Sequence, residues 1–347
     1  MTASPHTSLG AVLASAQAPL ADALLVLTET AVKVAGLIAR SPLTGGAEVV
    51  SGEENASGDA PKALDLRAQD LYVDALRGTA IAGLASEEAD GVVDLGSGDF
   101  VMAIDPIDGS SNIDINAPIG TIFSILPRLR ALPDGTAATL EASLLQPGTA
   151  QLAAGFVLFG PSTLLILTTG DGTDIYVLAD GEFLRTHRSI RIPEEAREYA
   201  VNASNARHWD SGMAAYVADL VAGEIGPRGQ DFNMRWLASL VAEAYRILLR
   251  GGIYLYPADR RPAYARGRLR LVYEANPISF LIEQAGGLAT DGVDRILDLR
   301  PVELHEKTPF VFGSRGKVER VRRYLVDPPT THEESPLFGR RTLLRSS

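Results

Sequence analysis

Cysteine is absent from the 347-residue sequence, which excludes disulfide frameworks, thiolate zinc sites, cysteine nucleophiles and thiol redox switches. Any catalytic metal must then be held by oxygen or imidazole. No run of about 18 uninterrupted apolar residues occurs, so no segment reads as a membrane span. The first basic residue is Lys33, so the basic region that opens a signal peptide is missing too. The sequence therefore predicts a soluble, cytoplasmic protein without a membrane partner. Lysine is scarce, with Lys33, Lys62, Lys307 and Lys317 against 28 arginines, a bias that by itself carries no functional weight. Acidic residues outnumber basic ones, 43 to 32, giving a net charge of −11. Such a surface repels nucleic-acid phosphates and excludes non-specific nucleic-acid binding. An anionic small substrate is compatible with it if cations stand between substrate and carboxylates.

What is present is an ordinary globular composition, with 46% hydrophobic and 22% charged residues, enough to build a core and far from that of a disordered chain. From residue 20 to 40, apolar residues at 20, 24, 27, 31, 34 and 38 have the spacing of an amphipathic helix. Residues 41–60 change character, interleaving Pro42, Gly45, Gly46, Gly52 and Gly58 with polar and acidic residues, the composition of a mobile loop. A second helix is predicted over 64–76, with Leu64, Leu71, Ala75 and Leu76 on its apolar face. Short β-rich runs at 100–104, 120–126, 153–159, 164–168 and 175–178 predict buried strands and an antiparallel meander. The polar stretch 185–200 marks the best boundary, giving an N-terminal subdomain over 1–195 and a C-terminal one over 196–330. A tail, 331–347, follows. In the second half, helices over 211–222, 236–249 and 277–285, the last closed by Gly286-Gly287, alternate with a strand over 253–256.

The informative segment is Asp105-Pro106-Ile107-Asp108-Gly109-Ser110-Ser111-Asn112. Two carboxylates at i and i+3 with proline between them end a strand rigidly. Gly-Ser-Ser then offers backbone N–H groups that can open a helix and face an anion. Metal and phosphate can meet there. Upstream, Glu87-Glu88 follows the apolar stretch 80–85, and adjacent carboxylates on a strand end point to opposite sides. Downstream, residues 260–270 carry five arginines, which taken alone read as a solvated loop and, in an acidic protein with a phosphate-binding motif, as a local basic pocket for a second phosphate. His187, His208 and His305 share no ligand spacing and read as surface or core polar residues. Without a companion histidine, Ser110 and Ser111 do not read as nucleophiles.

These residues resemble the class I fructose-1,6-bisphosphatases, within the superfamily of Mg²⁺-dependent, lithium-sensitive sugar and inositol phosphatases. The resemblance rests on the motif 105–112 together with Ile119-Gly120-Thr121-Ile122-Phe123, Gly251-Gly252-Ile253-Tyr254-Leu255-Tyr256-Pro257 and Tyr273-Glu274-Ala275-Asn276-Pro277. It implies an α/β fold of layered α+β type, the sugar-phosphatase fold with stacked helix and sheet layers in two subdomains. It also implies Mg²⁺, with Mn²⁺ as a substitute, held by Glu87, Asp105, Asp108, Glu274 and the backbone carbonyl of Ile107. Glu88 and Asp65 would accept the proton of the attacking water, and Asp59 would supply an acid from the mobile loop. Asp108, Gly109, Ser110 and Ser111 would contact the departing phosphate, and Asn202, Tyr256, Arg261 and Arg268 the sugar and its other phosphate. Arg235 would reach that phosphate from a neighbouring subunit of a homotetramer.

The implied activity is hydrolysis of fructose 1,6-bisphosphate to fructose 6-phosphate, in gluconeogenesis or the Calvin cycle. A dual fructose-1,6-/sedoheptulose-1,7-bisphosphatase is the close alternative, and a catalytically silent binding scaffold the distant one. The sequence departs from the family pattern at Arg268, commonly Lys, and at Trp236 and Asn205, each in place of Tyr. Asp99-Phe100 stands where AMP-inhibited members carry Lys-Tyr, and residues 15–19 lack their Gly-Thr-Gly-Glu-like helix start, which predicts weak or absent AMP inhibition.

Overall fold

The structure, a computed structural model, describes residues 7–14, 16–44 and 63–326. The chain opens with α1 (Leu9–Leu13), the long α2 (Ala18–Thr44) and α3 (Ala63–Leu76). Strands β1 (Ile81–Ser86), β2 (Val92–Asp94), β3 (Phe100–Asp108) and β4 (Ile119–Pro127) follow, then helix α4 (Leu140–Leu144). Next come β5 (Ala153–Phe159), β6 (Thr163–Thr168), β7 (Asp174–Ala179) and β8 (Glu182–His187). These eight strands form one sheet in the order β2-β1-β3-β4-β5-β6-β7-β8. Within it only β1 and β3 pair in parallel; from β3 to β8 the sheet is an antiparallel meander, which the sequence predicts over β5 to β7.

The second half comprises β9 (Glu198–Val201), α5 (Ser211–Val221), β10 (Asn233–Met234), α6 (Leu240–Arg250), β11 (Ile253–Tyr256) and β12 (Leu269–Arg270). It ends with α7 (Asn276–Gln284), β13 (Leu288–Thr290), β14 (Lys307–Thr308), β15 (Phe310–Gly313) and α8 (Arg315–Val326). A second sheet has the order β10-β9-β11-β15-β13, and β12 pairs with β14 apart from it.

Strand alternation explains the layering. Met102, Ile104, Phe123, Ile125 and Val157 pack on Leu24, Leu27 and Ala31 of α2 and Leu64, Ala68 and Tyr72 of α3. The intervening residues Ile122, Phe156 and Ile166 face the other way, onto Val241, Ala244 and Ile247 of α6 and Ile278, Leu281 and Ile282 of α7. The far side of those two helices meets Tyr254, Phe310 and Phe312 of the second sheet. That sheet turns Val201, Ile253, Leu255 and Val311 outward onto Met213 and Tyr216 of α5 and Val318 and Val321 of α8. The layers run helix, sheet, helix, sheet, helix. Both sheets are buried on two faces, which is why their strands read as apolar runs as well as alternations.

Several boundaries move. Helix α2 continues through Thr44, taking in the first residues predicted as loop. Pro42 lies in its last turn, where it removes a single ladder bond, and Ser41 packs inward. The remainder of that predicted loop, 45–60 with Asp59, lies outside the described residues, as does the tail. The buried face of α3 is Leu64, Asp65, Ala68, Tyr72 and Leu76; Leu71 and Ala75 are only half-buried. Residues 236–239, predicted as helix, are not, because Ala238 adopts φ 55° and Ser239 caps α6 through the Ala242 amide. Glu87 and Glu88 lie in the turn after β1 rather than on its end, so strand alternation does not separate them.

Candidate active site

Strand β3 does not stop at Asp105 but runs on to Asp108. Its pairing with β4 places Asp105 opposite Ile122 and Asp108 opposite Gly120, with two residues on β3 against one, Thr121, between them. One extra residue is thus inserted, a bulge at Pro106-Ile107 where a ladder N–H is dispensable. In a regular strand residues i and i+3 face opposite ways; the bulge returns Asp108 to the side of Asp105. The irregular segment is fixed from the other face, where the Thr121 hydroxyl donates to the Pro106 carbonyl at 2.8 Å and itself accepts from Tyr72 at 3.1 Å.

Gly120 is required opposite the bulge. A Cβ there would lie 2.4 Å from the Val157 carbonyl and 2.7 Å from Val241. Gly120→Ala is expected to lower stability by about 1–3 kcal/mol. Thermal denaturation checks this, and an unchanged midpoint would show that the strand yields freely. Beyond Asp108, Gly109 at φ 76° turns the chain into a single 3₁₀ turn, Ser110–Asn112. Asn112 ties this turn to the approach to α6 by donating to the Ala238 carbonyl at 2.9 Å. Gly109 and Ser110 are half-buried and Ser111 exposed.

Carboxylate oxygens of Asp105, Asp108 and Glu274 lie within 4.8 Å of one another, and all three residues are buried. Glu274 comes from a π-helical turn, Leu271–Ala275, immediately before α7. Asp108 accepts the Val241 amide at 3.1 Å in the first turn of α6, and Asp105 accepts the Ile107 amide at 3.0 Å. Glu274 accepts the Arg270 amide at 2.5 Å. Burial raises all three carboxyls, and charge from Glu87 raises each further; Asp108 is pushed up to about 7 despite its amide partner. Glu87 itself meets the buried Arg270 guanidinium at 3.5 Å. Glu88 is close enough to act on Asp105 electrostatically, and Asp65 is buried in the first turn of α3. Buried oxygen donors whose mutual repulsion is incompletely offset fit a divalent cation, for which carboxylate oxygens are the natural ligands.

The second group assembles around Asp259, which sequence reasoning missed. Arg261 donates to it from Nε at 3.0 Å and, more closely, from Nη2; Nη2 also reaches Asn205 at 3.0 Å. This holds the Asp259 carboxyl down at about 2. Arg268 lies 4.0 Å from the same carboxylate and stacks 3.6 Å from the Tyr264 ring centroid. Asn202, Asn205, Tyr256 and Asp259 line one depression. The Tyr256 hydroxyl, raised chiefly by burial, is lowered by Arg268 and raised by Glu274. Arg268 lies 5.8 Å from the Tyr256 ring centroid. Trp236 stacks on Tyr254 at 5.9 Å and an 11° interplanar angle, and its ring centroid lies 5.9 Å from that of Tyr256. Of the five arginines in 260–270, only Arg261 and Arg268 turn to Asp259; Arg260 and Arg266 are exposed and Arg270 turns to Glu87. Arg235 is engaged with Glu198 at 3.6 Å. No spacing in the sequence announces Asp259 or Arg270, whose partners are set by tertiary contact.

Layered sheets and helices, with a cluster of buried carboxylates and a separate group of arginines around Asp259, define a protein built to hold cations and anions. A family model described as Fructose-1-6-bisphosphatase, N-terminal domain, matches residues 13–188, and the corresponding C-terminal domain matches 192–326. The chain is 51% identical to the class 1 fructose-1,6-bisphosphatase of Rhizobium meliloti (strain 1021), covering 92% of this chain and 91% of that one. It is 46% identical to that of Rhodopseudomonas palustris (strain BisA53), covering 99% and 98%. The fructose-1,6-bisphosphatase of Leishmania major in holo form superposes with a TM-score of 0.85 at 31% identity, covering 92% of this chain and 99% of that one. The chain belongs to the class 1 fructose-1,6-bisphosphatase family, phosphatases for which a divalent metal is implied. Among the described residues no helix is long and apolar enough to cross a membrane.

Proposed function

We propose that this chain hydrolyses fructose 1,6-bisphosphate to fructose 6-phosphate and phosphate with Mg²⁺, or Mn²⁺ in its place. The observation that carries the reading is the buried cluster of Asp105, Asp108 and Glu274, whose carboxylate oxygens lie within 4.8 Å of one another, together with a second, cationic group in which Arg268 lies 5.8 Å from the Tyr256 ring centroid. A substrate with a phosphate at each end matches a site with two such ends. Asp105, Asp108 and Glu274, with Glu87 and the Ile107 carbonyl, would hold the metal. Phosphate-monoester hydrolysis is among the slowest uncatalysed reactions, so about 20 kcal/mol must be supplied. Bound divalent cations neutralise phosphoryl oxygens and lower the pKa of the attacking water.

The chain's own groups do the rest. Gly109, Ser110 and Ser111 direct backbone N–H and hydroxyl donors at the reacting phosphate. Glu88 and Asp65 take the proton of the attacking water, and Asp59 supplies an acid from the 41–60 segment. Asn202 and Tyr256 border the sugar, and Arg261 and Arg268 hold the second phosphate, pre-oriented by Asp259, Asn205 and Tyr264. Arg268→Met is expected to raise KM for the bisphosphate about tenfold or more, since a charge-assisted contact is lost. Steady-state kinetics check this, and an unchanged KM would remove Arg268 from the substrate site.

Two subdomains, 1–195 and 196–330, belong to the same proposal, supported by the change of sheet between β8 and β9. A homotetramer is supported by exposed Met234 and Leu237 flanking Arg235; mixing Arg235→Ala with Asp108→Ala subunits should restore part of the activity if sites are shared. Sugar bisphosphates are too highly charged to cross a bilayer unaided, which supports a cytoplasmic location. Asp99, exposed and paired with Arg130 at 2.5 Å, supports the expectation that AMP leaves activity unchanged; inhibition at micromolar AMP would contradict it. The decisive assay is phosphate release from fructose 1,6-bisphosphate, sedoheptulose 1,7-bisphosphate and inositol 1-phosphate at equal concentration, with Mg²⁺ and with EDTA. Preference for fructose bisphosphate, abolished by EDTA, supports the reading; preference for inositol phosphate, or no release, overturns it.

A further inference from the structure

We propose that His305 is a positioning residue that fixes the Glu87-Glu88 turn against the segment carrying Glu274. The inference rests on the reading of these carboxylates given above. His305 lies between Ile296–Asp298 and β14 and is half-buried. Its place is set by backbone pairing: Arg270 opposes Lys307 in the β12–β14 pair, and the Leu271 amide donates to the Glu306 carbonyl at 2.8 Å. From there the imidazole Nε2 reaches the Ala89 carbonyl at 3.0 Å. A carbonyl only accepts, so the proton is on Nε2. The ring also packs on Tyr273, with centroids 5.3 Å apart and a 47° interplanar angle. Ala89 directly follows Glu88, and Tyr273 directly precedes Glu274.

The Glu87-Glu88 turn needs such a tie. The β1 strand ends at Ser86, and the turn beyond it is held by the Glu87 amide on the Ile104 carbonyl and by Ser86, which accepts from the Glu88 and Ala89 amides. All of these contacts lie on the β1–β3 side of the turn. His305 supplies a contact to the turn's backbone from the far side, 216 residues away in sequence, where the Arg270 guanidinium reaches only the Glu87 side chain, at 3.5 Å. Two carboxylates that repel Asp105 are thereby kept close to it. Nδ1 is buried without a hydrogen-bond partner among the described residues, so Nε2 is the atom through which the ring acts. Burial lowers the imidazole's proton affinity, in keeping with a neutral ring. Groups behind metal-binding carboxylates typically change metal affinity or activity by about 10–100-fold when removed.

This atom assignment makes the test specific. Glutamine presents an amide N–H near the position of Nε2, whereas asparagine presents one near Nδ1. His305→Ala and His305→Asn are expected to lower kcat about 10–100-fold and to weaken Mn²⁺ binding, titrated calorimetrically into metal-free protein, about tenfold. KM for fructose 1,6-bisphosphate should change less than about twofold, because the Asp259 group is untouched. The unfolding midpoint of the metal-free protein should move by less than about 2 °C. His305→Gln should stay within about threefold of the parent in both kcat and Mn²⁺ affinity. Equal losses in all three variants, or parental Mn²⁺ affinity in His305→Ala, would overturn the proposal. If the parent does not cleave fructose 1,6-bisphosphate, the substrate reading fails, while the Mn²⁺ titration still decides the role of His305.

Discussion

Asp108→Asn is expected to lower kcat/KM by about a thousandfold or more, equivalent to about 4 kcal/mol of lost transition-state stabilisation. Asparagine has the same shape, and its side-chain oxygen can still accept the Val241 amide that meets Asp108 at 3.1 Å. Packing against α6 is therefore kept, and what disappears is one buried negative charge and the ligand it provides. The same change should raise the unfolding midpoint of the metal-free protein by a few degrees at pH 8, because Asp108 then no longer repels Glu274 and Glu87. Opposite signs for activity and stability are the signature of a group kept for chemistry. Retained phosphatase activity would remove Asp108 from the site, and a lower midpoint would show that its charge is compensated within the protein.

Removal of metal by EDTA is expected to abolish phosphate release entirely, with recovery on adding Mg²⁺ or Mn²⁺. Stability should respond as well. Asp105, Asp108 and Glu274 all have folded-state carboxyls raised above their ordinary range. The folded state thus binds more protons than the unfolded one, and stability is fully present below about pH 4 for these groups and falls as pH rises through the folded values. With Asp108 at about 7, the metal-free midpoint should fall between pH 5 and pH 8. Saturating Mg²⁺ should flatten that slope, since cation binding to the ionised carboxylates offsets their repulsion. Calorimetric scans at both pH values, with and without metal, decide it; a metal-free midpoint that rises with pH would contradict the burial argument.

Local pattern carried the elements well where it was periodic. The apolar spacing in α2, the alternating strands β4 to β7 and the Gly286-Gly287 stop after α7 are all set by residues close in sequence, so they could be read directly. Around the site the local rules were less informative. Pro106 reads as a strand terminator, yet β3 absorbs it in a bulge because Thr121 and Tyr72 hold the Pro106 carbonyl from the opposite face. Residues 236–239 read as helix, yet α6 begins only at Leu240. Its first-turn amide is then directed at Asp108, from a residue 133 positions distant in sequence.

The sequence by itself determined which residue types are available for chemistry: no thiols, a string of carboxylates followed by Gly-Ser-Ser, and a run of arginines in an acidic chain. Their order along the chain carried the family resemblance. Only the tertiary structure decided which of them face one another. The bulge turns Asp105 and Asp108 to one side, the π-helical turn brings Glu274 within 4.8 Å of them, and Asp259 selects Arg261 and Arg268 from five candidates. The physical reason is range. Helix and strand periodicity act over a few residues, whereas repulsion among buried carboxylates and the pairing of arginines depend on distances that chain folding alone establishes.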